Sequence, residues 1–518
     1  MAARGVVAAG HPLTAEAGAQ VLRDGGNAVD AAVAAVMTSF VAESPLTGFG
    51  AGGYMLVHMG EAEELLDFFV AVPGLGGHER RSELMPVPVA FTPEAIQTFH
   101  VGPASCAVPG VPAGIEAALE RWGSVSLAEL AAPAARLARE GVEADETWAY
   151  FYRLLEPILT ADAPGRAVYA PEGSILRAGE RFRFPDLADA LERFGAEGSE
   201  PFYRGEVASA LAEAVLERGG ALGPDDLAAY EPHLREPIPV RFGGRRVLTN
   251  PPPSSGGILI AFVLGVLERA GDTGLEALVR AMDEAQAART EDFAAGLGRD
   301  GFTTEFLADD RLAEAAARVR AGERPPPSGP QPGDRLGSTT HITALDADGG
   351  CASVTCSNGS GSGVIVPGTG IHLNNMLGEQ DLNPHGFHRH PAGVRMPSMM
   401  SPTIVTRSGD VELGLGSGGS NRIRSAVSQT VLRMVADGLG VAAAVDAPRV
   451  HFEDGVVEVE PGCDAAALEA LEAAGYGVAR WAERNLYFGG VHAVARDPDT
   501  GECHGAGDAR RGGAVAYA

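Results

Sequence analysis

The first part of the chain shows apolar residues at helical spacing, interrupted by glycine and asparagine. Residues 13–25 predict an amphipathic helix that ends at Gly25 and Gly26, because glycine is favoured just past a helix C-terminus. Asn27 is then expected to cap a second helix, rich in alanine and valine, that runs to about Glu43.

A glycine-rich turn at 48–53 leads into the next predicted elements. Residues 54–59 predict a short strand, and the alternation of apolar and polar residues around 65–74 predicts another. Beyond them the spacing is mostly helical. Helices are predicted within 110–235, where proline-containing loops interrupt them, and at 258–269 and 274–297.

The last third of the chain has a different pattern and begins after the clearest linker. Residues 322–338 are rich in proline and glycine, which suit neither a helix interior nor a sheet ladder. Alternation on both sides of turn residues then predicts three hairpins, at 341–357, 403–416 and 491–507. A helical first part and a hairpin-rich last third predict an α+β fold, with strands packed into sheets and helices outside.

Composition excludes several classes of function. The formal net charge of −28 argues against nucleic-acid binding, because contact with phosphates needs a basic surface. All 40 basic residues are arginine, so the chain has no Walker A lysine, no Ser-x-x-Lys motif and no lysine for a pyridoxal Schiff base. We expect an enzyme that works without a cofactor.

Neither the cysteines nor the apolar segments indicate export or a membrane. The five cysteines are an odd number without a Cys-x-x-Cys pair, which favours buried thiols in a reducing compartment. The start of the chain lacks a long apolar core, and no later stretch is long enough to span a bilayer. We therefore expect a cytoplasmic protein without a membrane partner.

Two motifs that could bind a cofactor or a metal are better explained by local structure. The GFGAGG segment at 48–53 fits G-x-G-x-x-G, but a dinucleotide site needs a strand before the glycines and a helix after them. Here the predicted order is reversed. His385, His388 and His390 lack helix-face spacing and are bracketed by prolines, so we expect an exposed loop and no metal site.

The candidate nucleophile is Thr339, where the linker meets a predicted strand. Two threonines at the start of a strand usually reflect β propensity alone. If the chain were cut before Thr339, however, one residue would carry a hydroxyl nucleophile and an α-amine with a pKa of about 7.7–8.0. A threonine hydroxyl activated by its own amine is a known nucleophile and base pair. Composition alone leaves both interpretations open.

A second candidate is the segment 414–426, GLGSGGSNRIRSA, where a strand runs through glycines into a helix. Backbone N–H groups at such a turn can stabilise an oxyanion. A glycine turn without any ligand is the alternative, so the segment gains weight only together with a nucleophile such as Thr339.

Ordered blocks along nearly the whole chain resemble the γ-glutamyltranspeptidase family. They are HPLTAEAGAQVLRDGGNAVDAAVA, GFGAGGYMLV, NPPPSSGGI, STTHIT, VPGTGIHLNN, MPSMMSPTIV, GSGGSNRI and HGAGDARR. The resemblance implies the four-layer αββα sandwich of the N-terminal nucleophile hydrolases, formed jointly by two chains from one precursor. Cleavage between Ser338 and Thr339 would give residues 1–338 and 339–518, a heterodimer that makes one catalytic domain.

The resemblance also implies a role for individual residues. The nucleophile would be Thr339, the oxyanion donors Gly418 and Gly419, and the hydroxyl that supports the freed amine Ser357, where a threonine is more usual. The substrate-binding residues would be Asn358, Glu379, which holds the substrate's α-amino group, and Ser398, which holds its α-carboxylate.

The chain departs from the family pattern at two of these binding positions. Members that bind glutathione have an arginine in an Asp-Phe-Arg block that clamps the α-carboxylate, and this chain has Phe69 there. The second of the paired serines is Met399. Loss of a charge-assisted pair removes on the order of 1.5–3 kcal/mol of binding to a substrate carboxylate.

Three hypotheses about function follow. In the first, the chain cleaves γ-glutamyl amides such as glutathione through a Thr339 acyl-enzyme, with transfer to water or an amine. In the second, the same machinery takes another acyl group, as in β-lactam acylases, because Phe69 and Met399 weaken the carboxylate clamp. In the third, the chain is an unprocessed binding protein, against which the retention of Thr339, Gly418 and Gly419 speaks.

Overall fold

The computed structural model describes residues 5–90, 96–326, 339–383 and 385–518. The strands are β1 (Val6–Ala9), β2 (Gly52–Met59), β3 (Ala62–Phe68), β4 (Met85–Ala90), β5 (Ile96–Val101), β6 (Val142–Glu143), β7 (Arg181–Phe182), β8 (His233–Arg235), β9 (Ile238–Phe242), β10 (Arg245–Thr249), β11 (Thr340–Leu345), β12 (Cys351–Ser357), β13 (Ile365–Val366), β14 (Ile371–His372), β15 (Thr403–Arg407), β16 (Asp410–Gly418), β17 (Val450–Glu453), β18 (Val456–Val459), β19 (Gly477–Arg480), β20 (Gly490–Arg496), β21 (Cys503–Gly507) and β22 (Ala514–Tyr517).

The α-helices are α1 (Pro12–Arg23), α2 (Ala28–Ala42), α3 (Val111–Trp122), α4 (Leu127–Glu140), α5 (Glu146–Leu159), α6 (Ala163–Tyr169), α7 (Pro185–Glu197), α8 (Glu200–Arg204), α9 (Glu206–Leu216), α10 (Pro224–Ala228), α11 (Ser255–Ala270), α12 (Leu275–Ala287), α13 (Glu291–Gly296), α14 (Phe302–Phe306), α15 (Asp309–Ala321), α16 (Arg422–Val435), α17 (Val441–Asp446) and α18 (Ala465–Ala473). Within the described residues, no helix is long and apolar enough to cross a membrane.

Two large antiparallel sheets each contain strands from both sides of residue 338. The seven-stranded sheet has the order β22-β1-β11-β12-β2-β3-β8, and the six-stranded sheet has the order β21-β20-β16-β15-β10-β9. In the first sheet, β11 and β12 lie between β1 and β2, which come from the other side of the linker. Neither portion of the chain could complete these sheets without the other.

Helices cover the outer face of each sheet. Helices α1 and α2 pack on the seven-stranded sheet, and α11 and α16 pack on the six-stranded sheet. The inner faces of the two sheets meet where β11 and β12 contact β16. The order of layers is helix, sheet, sheet and helix, so the predicted αββα sandwich is confirmed.

The predicted start of α2 is also confirmed. The Asn27 side chain accepts hydrogen bonds from the Val29 and Asp30 backbone N–H groups, and Asp30 completes a capping box with the Asn27 N–H. Every residue of α2 is buried. A helix of alanine and valine that is apolar on all sides is stable only inside a core, and here the sheet lies on one side with α1 and α4 on the others.

Other boundaries differ from the sequence analysis. The short strand β1 was assigned to no element, because four apolar residues carry no period of their own. The strand predicted at 65–74 ends at Phe68. There the buried Asp67 carboxylate accepts the Phe69 N–H at 3.0 Å, so this N–H bonds to a side chain and not to a neighbouring strand. The same carboxylate pairs with Arg235 at 2.7 Å.

The helical predictions hold with smaller corrections. The helix predicted at 274–297 is divided into α12 and α13. The helical region 110–235 also contains the two-residue strands β6 and β7 and, at its end, the three-residue strand β8. The three predicted hairpins are present as β11–β12, β15–β16 and β20–β21. The linker is described only as far as residue 326, and its remainder, with Ser338, lies outside the described residues.

The interior between the two sheets holds a polar group beside the linker junction. His341 of β11 is fully buried, and its ring nitrogens lie 2.8 Å from Thr355 Oγ1 and 2.7 Å from Thr343 Oγ1. Gly416 of β16 lies directly against this ring, since a Cβ atom there would overlap it. Burial lowers the His341 pKa well below its usual value, so the imidazole is neutral and bonds to hydroxyls.

Candidate active site

Strand pairing brings Thr339 opposite Ser357. Thr340 pairs with Cys356 in the antiparallel β11–β12 register, so the residue before β11 faces the last residue of β12. Thr339 Oγ1 donates to Ser357 Oγ at 3.2 Å, and the same Ser357 oxygen accepts the Gly359 N–H at 2.9 Å. One hairpin therefore places the candidate nucleophile and its supporting hydroxyl within hydrogen-bond distance.

The glycine turn of the facing sheet packs against the Thr339 backbone. Gly418 ends β16, and a Cβ atom on it would overlap the Thr339 carbonyl oxygen. Gly419 follows with a φ of +125°, which only glycine adopts without strain. The turn then enters α16, and it lies against the residue whose reaction it is predicted to assist.

Two sources of positive potential lie beside this turn. The N-terminus of the 14-residue helix α16 follows it directly. The buried Arg511 guanidinium also lies beside the turn, about 3.4 Å from where a Cβ of Gly419 would be. Burial and the nearby Arg422 lower the Arg511 pKa to about 10, which still leaves the group charged at neutral pH. Both features would stabilise negative charge that develops near the Gly418–Gly419 backbone.

A small pocket opens at Thr339 and contains most of the predicted site. Its empty volume is about 340 Å³. It is lined by the predicted residues Phe69, Thr339, Ser357, Glu379, Ser398 and Met399, and also by Gly359, Met376, Asp381, Leu382, Met400, Ser420 and Ile423. Residues that are hundreds of positions apart in the sequence, such as Phe69 and Met399, meet here.

The segment that carries Ser398 and Met399 is held by the NPPPSSGG block. Ser255 N–H donates to the Ser398 carbonyl at 2.7 Å, and Ser254 Oγ donates to the Met400 carbonyl at 2.9 Å. Gly256 allows this close approach, because a Cβ atom there would overlap the Met399 carbonyl oxygen. The block therefore acts through the backbone of the segment that lines the pocket.

Asn358 is the predicted binding residue that the structure does not bring to the pocket. Its Nδ2 donates to the Pro45 carbonyl at 3.4 Å, and its side chain lines a separate cavity next to Thr47. Ser357 lines the pocket, whereas Asn358, the residue after β12, contacts the loop that follows α2 at Pro45 and Leu46. The next residue at the pocket is Gly359, so the binding role of Asn358 stays a prediction that the lining of this pocket does not support.

Two polar residues of the pocket were not predicted from the sequence. Asp381 lies two residues after Glu379, and Ser420, with a φ of +51°, follows Gly419. Ser420 Oγ donates a short hydrogen bond to Asp381 Oδ2. The only signal for either residue was its closeness in sequence to a predicted site residue.

His385, His388 and His390 lie in an irregular segment, and His390 Nε2 lies 3.1 Å from the Leu382 carbonyl oxygen. In the described parts of the chain, no group of three or more His, Cys, Asp or Glu side chains is placed to hold a metal ion. The GFGAGG segment lies between α2 and β2, the order that the sequence predicted.

A buried carboxyl lies directly beneath the residue that follows Thr339. Glu43, at the C-terminus of α2, is fully buried, and its Oε2 accepts a short hydrogen bond from Thr340 Oγ1. Burial raises the Glu43 pKa to about 7, although hydrogen bonds from Thr340 and the Gly10 backbone oppose the rise. The hydrogen bond between Thr340 and Glu43 thus links the start of β11 to the end of α2, through a carboxyl group with a pKa near neutral pH.

The four-layer sandwich, with a threonine at the head of a central strand, is that of an N-terminal nucleophile hydrolase. The chain belongs to the gamma-glutamyltranspeptidase family, whose sequence profile matches residues 14–518. It is therefore an enzyme of a family of amide hydrolases and acyltransferases, and the family and fold predicted from the sequence are confirmed.

Individual relatives cover nearly the whole chain. It is 30% identical to the glutathione hydrolase proenzyme of Bacillus subtilis (strain 168), over 99% of this chain and 91% of that protein. It is 32% identical to the Acylase ACY 1 proenzyme of Pseudomonas sp. (strain SE83), over 96% and 90%. The solved structure of cephalosporin acylase from Bacillus halodurans matches with a TM-score of 0.84 at 28% identity, covering 99% of this chain and 96% of that one.

The close approach of Gly418 to Thr339 predicts the effect of a single methyl group. In a Gly418→Ala variant the new Cβ would push the Thr339 backbone away from the turn, and we expect kcat/KM to fall about 100-fold or more. The matched control is Gly440→Ala, since Gly440 has open space around its Cβ position and lies at the start of α17. Equal activity of the two variants on any amide substrate would contradict the predicted role of the turn.

The buried Glu43 predicts a pH-dependent stability. The folded chain holds the Glu43 proton up to about pH 7, whereas the unfolded chain loses it near the ordinary pKa of 4.5. The contribution of the Glu43 proton to the free energy of unfolding is therefore complete below pH 4.5 and is lost as the pH rises to about 7. The change in that free energy is on the order of 3 kcal/mol. Glu43→Gln should flatten this dependence in urea unfolding at about pH 5 and pH 8.

The control for this measurement is Glu61→Gln, because Glu61 is exposed in the turn between β2 and β3. It should leave the pH dependence of the unfolding free energy unchanged. Between pH 5 and pH 8 the unfolding free energy of the wild type should fall more than that of Glu43→Gln. An equal or smaller fall in the wild type would contradict the pKa assigned to Glu43.

Proposed function

We propose that this chain is a self-processing amidohydrolase and acyltransferase that cleaves γ-glutamyl amides, glutathione among them, through an ester on Thr339. The observation that carries the proposal is the position of Thr339. Thr339 lies immediately before β11, and its hydroxyl donates a hydrogen bond to Ser357 Oγ. It packs against the Gly418 turn and lines the pocket. These are the parts that an acyl-transfer site with an N-terminal nucleophile requires.

Processing would use the same hydroxyl as catalysis. Thr339 Oγ attacks the Ser338 carbonyl carbon, the peptide C–N bond breaks as an ester C–O bond forms, and the amine of Thr339 takes up the hydroxyl proton. Water then hydrolyses this ester and leaves a Ser338 carboxylate and a free Thr339 amine. The products are residues 1–338 and 339–518, which both contribute strands to each of the two large sheets, and this shared pairing would hold the two chains together.

The mature site would cleave a substrate amide in two steps. The freed amine accepts the Thr339 hydroxyl proton as Oγ attacks the acyl carbonyl, and it passes that proton to the leaving amine as the C–N bond breaks. Water or a second amine then attacks the ester, releases the acyl group and returns the proton to Thr339 Oγ. The oxyanion formed in each step would lie at the Gly418–Gly419 turn.

A specific observation favours a second acyl group. Phe69, Met399 and Met400 form an apolar wall of the pocket, where a carboxylate clamp would need a cation or hydroxyl groups. An acylase of the same mechanism that takes a more apolar acyl group is therefore the second candidate. Rates on γ-glutamyl and phenylacetyl p-nitroanilide separate the two: turnover of the second substrate alone would overturn the first proposal.

The absence of lysine allows a direct test of processing. An amine-specific label can attach only to chain N-termini, because all 40 basic residues are arginine. We expect the purified wild-type protein to give two fragments with the second labelled at Thr339, and Thr339→Ala to stay whole and inactive. Mass spectrometry of the labelled, denatured protein measures this.

Thr339→Ser is the matched control, because it keeps a hydroxyl in the same place. It should still be cut at the same bond and retain measurable hydrolysis. An intact but fully active wild-type chain, or cleavage in Thr339→Ala, would show that Thr339 is not the nucleophile.

A further inference from the structure

Three segments of the chain meet at Thr340, the residue that follows Thr339. The Thr340 hydroxyl donates a short hydrogen bond to Oε2 of Glu43, the residue that caps the C-terminus of α2. The Gly10 N–H, from the turn between β1 and α1, donates to the same carboxyl. A Cβ atom on Gly10 would overlap Glu43 Oε2, so the turn comes this close only because it has a glycine there. One carboxyl therefore joins the end of α2, the β1–α1 turn and the start of β11.

Strand pairing holds the start of β11 less completely than its other end. On one side Thr340 pairs with Cys356 of β12. On the other side the pairing with β1 covers residues 343–345, and Thr340 lies beyond it. The hydrogen bond to Glu43 is therefore a second attachment of Thr340, besides its pairing with β12.

The Glu43 carboxyl is buried without a cation beside it in the described part of the chain. The groups that face it are the Gly10 N–H, the hydroxyls of Thr14 and Thr340, and the Cys356 thiol. Burial raises the Cys356 pKa, so that this thiol stays neutral. A buried carboxyl that relies on hydrogen bonds alone stabilises a fold less than an apolar side chain of the same size would. Packing therefore does not account for a glutamate at this position.

We propose that Glu43 is a positioning residue for Thr339: by accepting from Thr340 it holds the start of β11, and so directs the Thr339 hydroxyl in both self-cleavage and substrate turnover. The inference rests on the proposed function, since it concerns the reaction of that hydroxyl. Glu43 is not among the described residues that line the pocket, so it acts through Thr340 without touching the substrate. Loss of the bond should lower the rates of both reactions and leave substrate binding unchanged.

The two sides of the bond can be tested separately, first at Thr340. Thr340→Val keeps the shape of the side chain but removes the donor, whereas Thr340→Ser keeps the hydroxyl. For Thr340→Val we expect kcat to fall at least about tenfold with KM within about twofold of the wild type, because a displaced nucleophile slows the reaction and not the binding. Cleavage before Thr339, followed on denaturing gels after cell-free synthesis, should slow by a similar factor. Thr340→Ser should restore both rates to within about threefold of the wild type.

Variants of Glu43 test the acceptor. Glu43→Gln keeps an oxygen that accepts from Thr340 and should retain both rates, whereas Glu43→Met is similar in length, has no acceptor, and should lose as much as Thr340→Val. The double variant Glu43→Met with Thr340→Val should be no slower than either single variant, because both remove the same hydrogen bond.

The matched control is Thr38→Val. Thr38 is a buried threonine of α2 whose hydroxyl donates to the Ala34 carbonyl at 2.9 Å. Its replacement removes a buried hydroxyl from the same helix without reaching β11, so it should leave kcat and the cleavage rate as in the wild type. Circular dichroism of each variant measures its folded fraction, to which the rates are referred. If Thr340→Val does not fold, the comparison of Glu43→Met with Glu43→Gln decides.

The outcomes separate this inference from the proposed function. Wild-type rates in Thr340→Val and Glu43→Met overturn the inference and leave the proposed function standing. Losses in Thr340→Ser, Glu43→Gln or Thr38→Val as large as that in Thr340→Val also overturn it, as does a double variant whose two losses multiply. A wild-type chain that stays whole across the Thr339 junction but is active removes the proposed function and with it the inference.

Discussion

The antiparallel pairing of β11 with β12 is the constraint on which the rest of the site depends. Their register sets Ser357 opposite Thr339 and leaves the threonine at the open end of a central strand. β1 pairs with the far end of β11, and at the head of the strand Thr340 pairs with Cys356 of β12. The proposed attack of Thr339, first on its own chain and then on a substrate, would need this fixed position, since small errors of geometry are costly in catalysis.

The six-stranded sheet supplies the glycine turn that packs against Thr339. Gly418 ends β16 and runs against the Thr339 backbone, which is possible only because neither Gly416 nor Gly418 has a side chain between the sheets. His341 fills the space at Gly416 and is satisfied by hydroxyl groups of β11 and β12. Beneath the same junction, Glu43 holds Thr340. Thr339, the proposed nucleophile, is therefore positioned by close polar contacts and by glycines that leave no space for larger side chains.

The acyl pocket combines these fixed parts with a wall that differs from the pattern of the family. Phe69 and Met399 occupy the positions at which the resemblance implied a carboxylate clamp, and the structure brings both to the pocket. Asp381 adds a second acidic group next to Glu379. The position of Thr339 depends on strand register, whereas the side chains of the pocket wall come from loops. The wall can therefore differ between relatives while the position of Thr339 stays the same.

Much of this protein was determined by its sequence alone. The hairpins, the capped α2, and the motifs that carry Thr339, Gly418 and Ser398 could be predicted, because they depend on local periodicity, on turn chemistry or on contiguous resemblance. The tertiary structure decided the rest. It showed that Asn358 contacts the loop after α2, that β3 ends at Phe68, and that Asp381 and Ser420 join the pocket. These outcomes depend on which side of a strand meets which loop, and such contacts are made between residues far apart in the chain.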